Sequence, residues 1–139
     1  MSWDVFAQDL PAHARTVDEI PADFVPGSIG PRSEIIRKIK EVVPFADFSN
    51  PAWGNIEGEG FSIDVSTSDH EDVECVAFFV RGNDRAAGVI SEILTKLNLR
   101  ALDSGTGDFF DHEQAAEGLK RWRQYRDAVI TKFGGGENA

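Results

Sequence analysis

Three histidines and twenty-four acidic residues supply side chains that ligate metals or move protons. Their spacing is the first test of chemistry. His70 stands beside Glu71 and Asp72 in "SDHED", and "DSGTGDFFDHE" gathers Asp103, Asp108, Asp111, His112 and Glu113. These are ligand types for zinc or a hard cation. No H-E-x-x-H, EF-hand loop or cysteine pair accompanies them, and such spacings are what make a metal motif specific. The plainer reading makes "SDHED" a solvated turn between strands. It makes "DFFDHE" a helix start, where the helix dipole favours acids. No metal or cofactor is expected. A small metal-dependent or ligand-binding enzyme using the Asp103–His112 corner is the alternative.

The other reactive candidates are weaker. Cys75 lies in "VECVAFFV" without a basic neighbour to lower its pKa, as a core cysteine would. "GTG" at 105–107 has no P-loop lysine, and Asp103 and Asp108 would repel a phosphate. A strand-to-helix turn accounts for it. "GxSxG" is absent, so no serine nucleophile has its usual setting. "LKRWRQYR" interleaves Arg with aromatic residues and resembles a base-stacking or phosphate-gripping pattern. Helical spacing instead sends Trp122 inward with Leu119 and leaves Lys120, Arg121 and Arg123 as a solvated face.

Charge is the most informative total. Fourteen Lys and Arg against twenty-four Asp and Glu leave a net charge of -10. That argues against nucleic acid and against an anionic membrane surface, both of which demand basic side chains. Between Lys40 and Arg81 there is no Lys or Arg. The same span holds Glu41, Asp47, Glu57, Glu59, Asp64, Asp69, Glu71, Asp72 and Glu74. One explanation is solubility. The other is a docking surface that steers a basic protein partner into place. On the docking reading the binding residues are Trp53, Glu57, Glu59, Asp64, Asp69, Glu71, Asp72 and Glu74, with Trp53 or Phe61 as apolar anchors. No catalytic residue is assigned, and the chain is expected not to be an enzyme.

These residues need elements to carry them. "SWDVFAQDL" alternates as a strand ending at Pro11. Residues 11–30, with three prolines and two glycines, form a long surface loop with one helical turn. "GPRSEIIRKIKEVVP" is a helix with Pro31 at its first helical position and Pro44 as its stop. "WGNIEG", "GFSIDVST" and "VECVAFFVRG" are three strands. Phe61, Ile63 and Val65 share one face of the second, and the third is apolar on both faces. "NDRAAGVISEILTKLNL" is a helix capped by Asn83 or Asp84. Its stripe is Ile90, Ile93, Leu94 and Leu97, and Asn98 takes the left-handed end. "RALDSG" is a last strand. "DHEQAAEGLKRWRQYRDAVITKF" is a third helix, with Ala115, Leu119, Trp122, Val129 and Phe133 on its apolar side.

The order β-α-β-β-β-α-β-α predicts an α+β fold. It has an antiparallel sheet of about five strands, two helices on one face and a C-terminal helix, a ferredoxin-like variant. A third helix over the second face, or a dimer through it, would explain the doubly apolar strand. Residues 1–133 make one domain and 134–139 a flexible tail. At 139 residues such a domain buries enough surface without metal or disulfide. A single cysteine, an N-terminus unlike a signal peptide and no run of about 20 apolar residues point to a cytoplasmic protein, monomer or homodimer.

"MSWDVFAQDLP", "GPRSEIIRKIKEVVPFADFSNPAWG", "FSIDV", "FFVRG" and "LRALDSGTGDFFD" together resemble a family of small uncharacterised bacterial proteins, across residues 1–111. That resemblance carries over no catalytic residue. By class alone (small, acidic, α+β, without a catalytic set) the chain is also similar to immunity proteins that neutralise bacterial toxins.

Overall fold

The apolar run "CVAFFV" becomes the centre of a sheet. The computed structural model describes residues 3–67 and 70–111. Its elements are β1 (Trp3–Gln8), β2 (Gly30–Pro31), α1 (Arg32–Val42), β3 (Trp53–Gly58), β4 (Phe61–Ser66), β5 (Asp72–Val73), β6 (Cys75–Gly82), α2 (Arg85–Leu97), β7 (Arg100–Asp103) and β8 (Asp108–Phe109), with a 3-10 turn at Val17–Glu19. The fold is α+β. Six strands form one antiparallel sheet in the order β3-β4-β6-β1-β7-β8, and β2 pairs with β5 in a separate short ladder. The meander β3-β4-β6 is the one that three consecutive strands implied. β6 and β7 flank β1 and both run antiparallel to it, so α2 carries the chain across β1.

Register sorts the side chains. Val5 faces Phe78, Phe78 faces Val65, and Ile63 lies between Val80 and Ile56. These residues are buried on one face together with Ile35 and Ile39 of α1 and Ile90, Ile93, Leu94 and Leu97 of α2. Both helices therefore cover that inner face, and α2 runs beside β4 and β6. Full burial of each such side chain stabilises the fold by roughly 1.5–3 kcal/mol relative to exposure.

The helix ends follow local chemistry. Asp84 holds the N-cap position of α2, but its side chain does not cap the helix. The Asn83 side-chain oxygen does the capping, accepting the Arg85 N–H at 3.0 Å. Asn98 closes α2 at φ 56°, ψ 47°, with its N–H on the Leu94 and Thr95 carbonyls. Pro31 departs from expectation. It sits one position before α1, extended at ψ 142°, because Gly30 and Pro31 are paired with Val73 and Asp72.

Two other expectations change. The sheet has six strands, not about five, because Asp108–Phe109 folds back on Leu102 and Asp103 instead of starting a helix. Gly107 at φ +74° permits that reversal. The strand expected through Val73 breaks at Glu74, and its first part joins β2. The expected third helix over "DHEQAAEGLKRWRQYRDAVITKF", the tail 134–139 and Asp69 lie outside the described residues.

At the β6–α2 junction Gly82 has φ +106°, and a Cβ there would collide with the Gly60 carbonyl and the Phe61 backbone. Neither obstacle is a side chain that can swing away. Gly82→Ala is expected to lower the unfolding free energy by about 1–3 kcal/mol. Urea denaturation checks it, with an unchanged midpoint as the contrary result.

Candidate functional site

The hairpin β3–β4 carries the residues that sequence marks for docking. Gly58 faces Phe61 across a two-residue turn, Glu59-Gly60, and Gly60 takes the left-handed position at φ +84°. Gly54 and Gly58 point to the inner face. The rings of Phe48 and Phe61 occupy the space that a Cβ on them would need. The glycines of "WGNIEGEGF" thus seat aromatic rings and a turn, not a phosphate. Phe61 is consequently 9% exposed, so of the two candidate anchors, each conditional on exposure, it is Trp53 that meets the condition.

Trp53 is 48% exposed. Its ring stacks on Phe79 at 5.6 Å between centroids and 21° between planes, and Phe79 meets Phe6 edge-on at 6.4 Å. The stack holds the indole in one orientation, so little side-chain entropy remains to be lost on binding.

The eight described acids of that span separate into groups that sequence does not reveal. Glu41 receives Arg37 at 3.0 Å and Lys96 at 3.3 Å. Glu59 meets Arg85 at 3.4 Å, and Asp64 meets Arg81 at 3.4 Å while accepting the Asn55 amide at 3.0 Å. Asp47 accepts the hydroxyl and the N–H of Ser49, which hold its carboxyl below the usual carboxylate range. Glu57 accepts the Ser62 hydroxyl at 3.2 Å. Glu71, Asp72 and Glu74 are exposed and enter no ion pair within the described residues. With His70 they line a shallow, open depression.

Position follows from register. Trp53 pairs with Ser66, and Ser66 with Ala77. Trp53 therefore lies at the end of the sheet where β4 leaves for residues 70–74. Glu57 and Glu59 lie at the other end, beside Arg81 and Arg85. The docking set is divided, with Asp64 between the halves. The missed partners, Arg81 and Arg85, directly follow the acidic span in sequence. Their reach to Asp64 and Glu59 depends on antiparallel pairing, which charge counting does not contain.

The Asp103 corner is occupied by structural bonds. Asp103 is 2% exposed. Its Oδ1 accepts the Trp3 indole N–H at 2.5 Å and the Gly105 N–H at 2.7 Å. Asp108 Oδ1 accepts the N–H of Val17 at 3.1 Å, tying the long loop to β8. Arg100 adds a second tie to the Pro11 carbonyl at 2.5 Å and lies over the Phe109 ring at 3.8 Å. His112 and Glu113 fall outside the described residues. Among the described residues no group of three or more His, Cys, Asp or Glu is placed to hold a metal ion. None of their helices is long and apolar enough to cross a membrane.

No protein-family model matches the chain, and neither curated proteins nor solved structures yield a match.

Two outcomes follow from this geometry. Asp103→Ala strands the indole N–H of Trp3 and the N–H of Gly105, and should cost about 1–3 kcal/mol, read as a lower urea midpoint. Cys75 is half-buried beside Gln8, and burial raises its thiol pKa while the Gln8 hydrogen bond partly opposes the rise. The unfolded thiol then ionises first as pH rises. The stabilisation from the neutral thiol is full below the unfolded thiol pKa and is lost as pH climbs through the folded one. Cys75→Ser should flatten this alkaline fall in stability, and an identical slope in both chains would contradict it.

Proposed function

We propose that the chain is a non-enzymatic protein-binding domain that docks on a basic protein, in the manner of an inhibitor or immunity protein neutralising a bacterial toxin. The observation that carries this reading is Trp53. A large aromatic ring is half-exposed yet fixed by stacking on Phe79. It lies at the same end of the sheet as Glu71, Asp72 and Glu74, three exposed acids without ion pairs among the described residues. An apolar anchor at the same end of the sheet as open negative charge suits a partner that offers a pocket and nearby Lys and Arg. The anchor supplies affinity, and the acids supply encounter rate.

The docking surface is narrower than the acidic span. Glu59 and Asp64 face the chain's own Arg85 and Arg81, so their charge is partly offset. A cytoplasmic setting accords with the single thiol of Cys75. We read the four strands β4-β6-β1-β7, with α2 crossing β1, as a ferredoxin-like unit to which β3 and β8 are added at the edges.

The test begins with co-purification of a basic protein from the native host, followed by kinetics with that partner. Trp53→Ala should weaken binding by about tenfold or more, as expected of an interface anchor. Reversing Glu71, Asp72 and Glu74 to Lys should slow association by about tenfold at low salt. Glu59→Lys should do much less. Recovery of no basic partner, or association unchanged by the triple reversal, contradicts the proposal.

A further inference from the structure

The acid segment 70–74 hangs on the short two-stranded ladder rather than on the six-stranded sheet. Among the described residues β5 pairs with β2 alone, over two residue pairs, and the strand breaks at Glu74 before β6 begins. Two main-chain bonds close this ladder. Ile29 donates its N–H to the Val73 carbonyl at 2.7 Å, and Arg32 donates its N–H to the Glu71 carbonyl at 2.7 Å. Residues 30 and 31 add no further donor: Pro31 has no N–H, and the Gly30 N–H turns to the Ser28 hydroxyl at 3.3 Å. Arg32 is the first residue of α1, so its N–H has no acceptor inside the helix. Glu71 provides one.

One side chain anchors the segment. Val73 is fully buried in the core, and Ile29 packs against that core from the facing strand. His70, Glu71, Asp72 and Glu74 are exposed. The loop that leads into β2, residues 11–29, buries only Ala14. Its first part is tied separately, Pro11 to Arg100 and Val17 to Asp108. Residues 18–29 can therefore part from β5 with those ties in place.

We propose that β2 and β5 form a latch, which opens as one unit while the six-stranded sheet stays intact. Two hydrogen bonds and one buried valine are a small part of what holds the sheet, so the ladder parts first. Closed, the latch fixes Glu71, Asp72 and Glu74 at the Trp53 end. Open, it frees them to swing about the break at Glu74. Only the closed form presents the acids in place, and its population scales the apparent affinity. The use of the latch rests on the docking proposal. Its existence does not, and the test needs no partner, so failure of one is distinguishable from failure of the other.

Amide exchange followed by NMR on the full chain reads the latch. The Ile29 and Arg32 amides are expected to exchange about tenfold or more faster than those of Val76 to Val80, at rates nearly independent of low urea, the mark of a local opening. Exchange at the β6 rate, with the β6 urea dependence, overturns the proposal. Val73→Ala then tests whether both strands part together, because Val73 leaves the core only if β5 moves. It is expected to speed exchange at Ile29 and Arg32 by about tenfold or more. Unchanged rates at those two amides mean that β5 stays in place during the opening, and they overturn the latch. Should that variant unfold as a whole, Val73→Thr, which keeps the shape, is read the same way.

Discussion

The fold depends on one constraint: β6 is apolar on both faces, and its inner side chains must be buried under the helices. Its inner residues Val76, Phe78 and Val80 are buried beneath α1 and α2. Its outer residues Cys75, Ala77 and Phe79 are only half-buried but belong to an aromatic row. Antiparallel pairing with β1 and β4 sets Val5, Phe78 and Val65 in one buried layer. A register slip of one residue would exchange the two sets and send Asp64 and Asp4 under the helices.

The surface chemistry follows from that register. It brings Arg81 opposite Ser62 and within reach of Asp64, and the α2 start brings Arg85 to Glu59. Exposed pairs of this kind add little stability, yet they decide where negative charge stays uncompensated. Glu71, Asp72 and Glu74, which keep it, sit outside the β3–β4 hairpin, where no Arg or Lys among the described residues is paired to them. Trp53 is exposed for a related reason. It lies on the outer face at the edge strand, and among the described residues only Phe79 stacks on it.

Much of this was legible in the sequence, and the boundary is physical. Phe61, Ile63 and Val65 declare a half-buried strand because alternation is a local signal. Ile90, Ile93, Leu94 and Leu97 declare a helix face, and Asn98 its left-handed end. Residues whose role depends on distant partners were not legible. Asp103 looks like a ligand until the Trp3 indole, one hundred positions away, is seen to bind it. Asp108 looks like a helix-start acid until it is found anchoring Val17 from a strand. Phe61 looks like an anchor until its ring is placed over Gly58. Sequence also suggested one broad acidic surface, because counting charge along the chain cannot show which acids meet Arg81 and Arg85.

Native-state amide exchange on the full chain tests the β6 constraint most directly. If β6 is the axis on which the sheet and its helix layer rest, Val76 to Val80 exchange most slowly, by the route of global unfolding, with β1 and β4 next and the edge strands β3 and β8 fastest. If β6 amides exchange as fast as those of β3, the sheet does not depend on β6 and the account is wrong.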